Sequence, residues 1–293
     1  MNTPTPTPGA LNTRAMLVSL NISLWTARKL DRKITAEVNT QHAASADAGR
    51  YNKHLLPGDA KSLETVRKIA QAARDDYYTQ TLPWSADGAR ILPAAQFMEF
   101  SATMRKHAAA FDVAKAEFLA DYPNLQANAR VLLNGMYRPE DYPAPGAIAQ
   151  KFGFSLNFSP VPDAGDFRVA ISDQAAADIR RQIEQTAQEA EARAMRDLWQ
   201  RLHDATAAMV DRLSDPDTIF RDSLVGNMRD LLDILPRLNV ADDPALAALA
   251  QEAEQKLAAY HPQDLRDDKE TRASVAADAA AIMARMNDYM GAM

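Results

Sequence analysis

The chain has 293 residues, a net charge of −6 and no cysteine. That length allows one large or two moderate domains, and the lack of cysteine excludes a disulfide framework, a thiolate zinc site and a cysteine nucleophile. Ten glycines are about half the ordinary usage of ~7%, so the chain leans helical and has few loops suited to cradling phosphates.

Residues 1–15, with their Thr-Pro pairs, read as a disordered tail, because Pro-rich polar sequence has nothing to bury. This start lacks the charged-then-apolar pattern of a leader, and no run approaches the ~18 apolar residues of a membrane span, so a soluble cytoplasmic protein is expected. From Ser19, Leu20, Ile22 and Leu24 alternate with polar residues, a period of two that predicts a strand over Leu20 to Trp25. Ala27, Leu30, Ile34 and Val38 then recur at helical spacing. In such a helix Arg28 lies one turn from Arg32, and Lys29 one turn from Lys33, which predicts a basic ridge.

A loop leads to a helix that Asp59 is placed to cap, with Leu63, Val66, Ala70, Ala73 and Tyr77 on one face. Thr81 to Pro93 reads as a loop. A Phe-rich helix carrying Phe97, Phe100, Met104, Phe111 and Phe118 follows, and Tyr122-Pro123 is expected to stop it. A short helix with Leu125, Leu132 and Met136 should end before Pro139. Two alternating runs, Phe154-Leu156-Phe158 and Phe167-Val169-Ile171, read as a hairpin, and the strand near Leu20 is its natural third partner.

From Asp173 to Leu213 the pattern is one long helix, roughly 60 Å at 1.5 Å per residue, with Ala187, Ala190, Ala194, Leu198, Leu202 and Met209 in its seam. Asp215-Pro216 and Asp243-Pro244 each read as a helix start, and the last helix spans about Asp268 to Met290. Asn227 is expected to be a buried register-setting group on the face of Phe220, Leu224 and Leu231. The fold class is mainly α, an elongated helical protein with a small sheet or hairpin. Its predicted division is a mixed α/β domain over residues 16–172 and a helical bundle or antiparallel helical domain over residues 173–293.

Signatures of chemistry are sparse. G-x-G-x-x-G, G-x-x-x-x-G-K-[ST] and G-x-S-x-G are missing from the sequence, as are H-x-x-x-H and D-x-D-x-D-G, so no catalytic residue, metal or cofactor is expected. Charge is the clearest asymmetry: residues 1–58 carry seven cations against three acids. A net of +4 there leaves −10 for the rest, a basic region on an acidic body that can attract polyanions locally. Arg28, Lys29, Arg32, Lys33, Arg50 and Lys53 are the candidate phosphate contacts, with Trp25 and Tyr51 as stacking rings and His54 beside them. The same residues also suit a solvated helix face beside core aromatics. The dense loop Gly49 to His54 reads first as capping of neighbouring helices, second as a ligand contact, and last as a catalytic group built on Arg50 and His54 with Asp47.

"LVSLNISLWTARKLDRKI", "DAGRYNKHLL", "TLPW", "GARILP", "PVPDAGDFRVAIS" and "FRDSLVGN" together resemble a family of uncharacterised proteins, a domain of unknown function carried by tailed bacteriophages and integrative conjugative elements. The resemblance runs over nearly the whole chain after the Pro-rich tail. It implies a bacterial host cell and a neighbourhood of replication and recombination genes, sometimes with an AAA+ ATPase and a von Willebrand-type protein, and it carries over no catalytic residue. The expected function is a non-enzymatic accessory protein of phage or mobile-element DNA replication or recombination, binding single-stranded DNA weakly. The alternative is a helical protein-interaction or phage scaffolding module, with the long Ala-seamed helix docking a second copy or a helical partner.

Overall fold

The computed structural model describes residues 11–56, 60–85, 88–167, 169 and 171–291. In chain order the elements are α1 (Leu11–Arg14), β1 (Ala15–Ser23), β2 (Arg28–Leu30), α2 (Arg32–Gln41), β3 (Asn52–His54), α3 (Lys61–Thr79), β4 (Leu82–Pro83), β5 (Arg90–Pro93), α4 (Phe97–Leu133), α5 (Pro145–Ala149), β6 (Gly153–Pro160), α6 (Asp173–Leu213), α7 (Ser223–Leu238), α8 (Pro244–Ala253), α9 (Asp264–Asp267) and α10 (Lys269–Gly291). The fold is mainly α with a minor β component. A four-stranded sheet has the order β4-β5-β1-β6, and a separate two-stranded ribbon pairs β2 with β3.

The chain gathers into two compact units, neither a single stretch of sequence. One holds the residues up to Ser19, Tyr78–Phe100 and the chain from Asn157; the other holds Leu20–Tyr77 and Ser101–Leu156. The tail expected over residues 1–10, and Asp59 as a cap, lie outside the described residues. Residues 11–15 of that expected tail form α1 and the first residue of β1, with Leu11 buried.

In the first unit, β1 pairs antiparallel with β5 in the register Leu17↔Ile91, and β5 pairs with β4. The long helix spans residues 173–213 as its period predicts, capped by Ser172, whose hydroxyl accepts from the Ala175 N–H. Its seam from Ala190 through Ala194, Leu198, Leu202 and Met209 to Leu213 is buried in one core with Val275, Ala279, Ile282 and Met286 of α10 and Val225, Met228 and Leu232 of α7. The Trp199 ring stacks on Tyr289 with 5.5 Å between centroids. The small seam residues therefore serve the chain's own helices, and each fully buried Leu contributes about 1.5–3 kcal/mol here.

Several sequence expectations are corrected in this unit. Asp215-Pro216 starts no helix: the Asp215 carboxylate accepts from the Asp217 N–H and the Thr218 hydroxyl, both at 3.0 Å, and closes a turn, while α7 begins at Ser223. Asp243-Pro244 does open α8, with Asp243 accepting from the Ala245 and Leu246 N–H groups. Asn227 is exposed, because the buried face of α7 runs through Val225, Met228, Leu232, Leu235 and Leu238. Of the expected hairpin, Phe154-Leu156-Phe158 is strand β6, whereas Phe167, Val169 and Ile171 are not in a strand.

In the second unit α3 buries Leu63, Val66, Ala70, Ala73 and Tyr77, as its spacing requires. Leu63, Val66 and Ala70 meet Phe111, Ala114, Phe118, Tyr122, Leu125 and Ala129 of α4 in one core. Pro123 does not stop α4, which continues to Leu133. A proline inside a helix forfeits one backbone bond, and the burial of Tyr122, Leu125 and Ala129 around it outweighs that loss. Tyr122 further donates its hydroxyl to the Pro143 carbonyl at 3.1 Å.

The basic ridge is also corrected. Ala27 sits in the left-handed region at φ 52°, which turns the chain out of β1 and breaks the helical pattern. Arg28 and Lys29 consequently lie on strand β2, and Arg32 and Lys33 open helix α2. The division falls at Asp31, whose side chain caps α2 by accepting from the Ile34 N–H at 3.2 Å.

A cationic cleft as candidate functional site

The ribbon places Arg28 opposite His54, Lys29 opposite Lys53 and Leu30 opposite Asn52. Alternation along a strand puts Lys29 and Lys53 on one face and Arg28, Leu30, Asn52 and His54 on the other. Two backbone bonds extend the ribbon at either end, Leu55 N–H to the Ala27 carbonyl and Asp31 N–H to the Tyr51 carbonyl. Thr35 ties α2 to the ribbon: its hydroxyl donates to the Asp31 carbonyl at 2.7 Å and accepts the Tyr51 N–H at 3.0 Å. The loop between α2 and β3 is held by the buried Asn39, which donates to the Ala46 carbonyl at 3.1 Å. A Cβ at Gly49 would stand 3.3 Å from Asn39 Oδ1, so a glycine lets this loop lie close on α2.

On the inner face of the ribbon lies a buried ionic cluster. Lys53 Nζ is 2.6 Å from Asp141 Oδ2 and 3.3 Å from Asp31 Oδ2. It also donates to the Met136 carbonyl at 2.9 Å. The side chains of Lys53, Asp31 and Asp141 are 3%, 6% and 4% exposed. Lys53 therefore lies against two carboxylates and donates to a carbonyl, which holds its charge inside the cluster. Lys29 differs: it donates once, to Asp141 Oδ1 at 2.6 Å, and half of its side chain meets solvent.

The electrostatics follow from this packing. The Asp31 carboxyl lies below its ordinary pKa, first through the hydrogen bond from the Ile34 N–H; burial opposes this, and Lys53 reinforces it. For Asp141 burial is the largest influence and raises the pKa. The bonds and charges of Lys29 and Lys53 outweigh it, and the net direction is downward. Both carboxylates are therefore charged at neutral pH, a state that isolated burial would forbid.

Above the cluster opens a cleft of about 430 Å³, lined by Lys29, Arg32, Lys33, Arg138 and Glu140 with Asp31, Lys53 and Asp141 at its base. Arg32 and Arg138 have no carboxylate within ion-pair distance among the described residues, and Lys33 meets Glu37 at 3.7 Å on an exposed surface. Such an exposed pair is worth little.

Of the sequence candidates, the cleft gathers Lys29, Arg32, Lys33 and Lys53, the last buried at its floor in ion pairs with Asp31 and Asp141. Arg28 and His54 are exposed on the outer face of the ribbon, and Arg50 and Tyr51 are exposed just before it. Trp25 drops out as a stacking ring: it is 7% exposed, packed 5.8 Å edge-on to Tyr122 and 6.2 Å from Phe118. Lys53 likewise drops out as a phosphate contact, since its charge is spent on Asp31 and Asp141. No hydrogen bond or ion pair joins Asp47, Arg50 and His54 among the described residues, and Asp47 accepts from the Ser45 hydroxyl.

Arg138, Glu140 and Asp141 escaped the sequence reading, in which "RPED" marked no more than a helix end. Among the described residues there is no cluster of His, Cys, Asp and Glu able to hold a metal, and no helix is long and apolar enough to cross a membrane. No protein-family model matches the chain, and no curated protein and no solved structure shows significant similarity to it.

Proposed function

We propose that this chain is a non-enzymatic accessory protein of phage or mobile-element DNA replication or recombination that binds single-stranded DNA weakly. The contact surface is the rim of the cationic cleft together with the exposed side of the ribbon. One observation carries the reading: the two carboxylates at the base of the cleft are matched by Lys53 together with Lys29, so Arg32, Lys33 and Arg138, set against Glu140 and Glu37, leave a net positive charge facing solvent. Phosphates neutralised by such groups release counterions, which yields affinity without sequence preference and strong dependence on salt. Tyr51, 40% exposed, follows Arg50 directly and offers a face on which a base can stack. The resemblance of the sequence to proteins of phages and integrative conjugative elements supplies the DNA-metabolism context and the bacterial cytoplasm.

Interaction through the α6 seam is less well supported, since Ala190 to Leu213 face the chain's own core. Binding of a labelled single-stranded oligonucleotide by fluorescence anisotropy tests the proposal. Reversing Arg32, Lys33 and Arg138 to Glu together should lower affinity at least tenfold at low salt, with the fold unchanged by circular dichroism. Affinity retained by the folded triple variant would refute it.

A further inference from the structure

Lys29 and Lys53 share one carboxylate on unequal terms. Lys53 is buried and holds Asp141 Oδ2, Asp31 Oδ2 and the Met136 carbonyl, whereas Lys29 is half exposed, stands at the wall of the cleft and holds Asp141 Oδ1 alone. If Lys29 turns away, Asp141 keeps an ammonium at 2.6 Å on its other oxygen, and Lys29 has two further donors free to meet an entering anion. Resting on the nucleic-acid reading above, we propose that Asp141 is an internal competitor for phosphate: it occupies Lys29 and holds the affinity of the cleft down. Phosphate and carboxylate are alike as acceptors for an ammonium, and a single-stranded backbone supplies several phosphates at once, so exchange of Lys29 from one to the other needs no rearrangement of the buried base.

A double-mutant cycle tests this. Oligo-thymidylate affinity is measured against salt for the wild-type protein, Asp141→Asn, Lys29→Met and the double variant, with thermal melts confirming folding. Competition predicts that Asp141→Asn tightens binding about threefold to fivefold at low salt and steepens the salt slope by about 0.7, one added phosphate contact on a single strand. It also predicts that the gain largely vanishes when Lys29→Met is present. An equal gain in both backgrounds would mean a general change of field and would overturn the proposal, as would no gain at all. Glu140→Gln, the same charge change at the exposed rim, should give a smaller gain than Asp141→Asn. A second measurement uses the wild-type protein and does not rely on the variant folding: in nitrogen-detected NMR of lysine side chains, saturating oligonucleotide should shift the Lys29 Nζ signal and leave that of Lys53 in place. An unmoved Lys29 signal overturns the inference while the binding itself stands. No salt-dependent binding in any of the four proteins removes the nucleic-acid reading, and this regulation with it.

Discussion

Asp31 and Asp141 are held charged where burial works against charge, and this has a consequence in acid. Their folded pKa values lie below the ordinary carboxyl range, so their contribution to stability is complete above about pH 4 and is lost as pH falls through the lowered folded values. Thermal melts should therefore be nearly level from about pH 8 to pH 5 and drop below about pH 4. Asp141→Asn should melt lower at neutral pH and fall less in acid. Equal acid losses in both proteins would show that the cluster contributes nothing to the pH dependence. Arg272 makes a second residue-scale prediction. Its side chain is buried and donates to the carbonyls of Leu213 at 3.2 Å, Pro216 at 3.1 Å, Arg212 at 2.6 Å and Thr218 at 2.8 Å, with the Phe220 ring 5.3 Å away. Among the described residues no carboxylate lies within ion-pair distance of it; the fork instead satisfies the last turn of α6 and the turn that follows. Arg272→Met should cost about 3 kcal/mol in urea unfolding, and Arg272→Lys should recover less than half of it. A loss below about 1 kcal/mol for Arg272→Met would contradict this role.

Asp31 also acts at the scale of elements, because the same carboxylate caps α2 and meets Lys53. Asp31→Asn keeps an acceptor for the Ile34 N–H and loses the charge, whereas Asp31→Ala loses both. The alanine variant should be the less stable by about 1 kcal/mol, the value of a cap, and equal stabilities would show that the cap is idle. In α6, Leu198 and Leu202 are fully buried. Changing both to Asp should abolish the cooperative unfolding transition rather than dissociate an otherwise folded protein. The seams of α3, α6 and α10 were legible from the sequence because a helical period is a local signal that survives burial in any partner. Ala27, Pro123 and Asp215-Pro216 were misread for the opposite reason. The left-handed turn at Ala27 and the passage of α4 through Pro123 are imposed by the surrounding core, and Asp-Pro serves a turn as well as a helix start.

Across the molecule the cations were visible in the sequence, but their state was not. Lys29 and Lys53 looked equivalent to Arg28 and Arg32 until Asp141, 112 residues beyond Lys29, was placed against them. Pairing across such a separation leaves no local trace, so the sequence overstated the positive charge available and gave Trp25 a surface role that its ring contacts exclude. What remains is a smaller surface, with Arg32, Lys33 and Arg138 at the cleft and Arg28, Arg50, Tyr51 and His54 about the ribbon, on a chain whose net charge is −6. An acidic body limits affinity at a distance while leaving the local field positive. The central claim is that this surface neutralises a few phosphates. The most direct test is the slope of log affinity against log salt for the wild-type protein on single-stranded DNA. A slope between about −2 and −3.5, corresponding to three to five contacts, is the predicted result. Affinity that does not change with salt, or no binding at about 50 mM salt, would contradict the account.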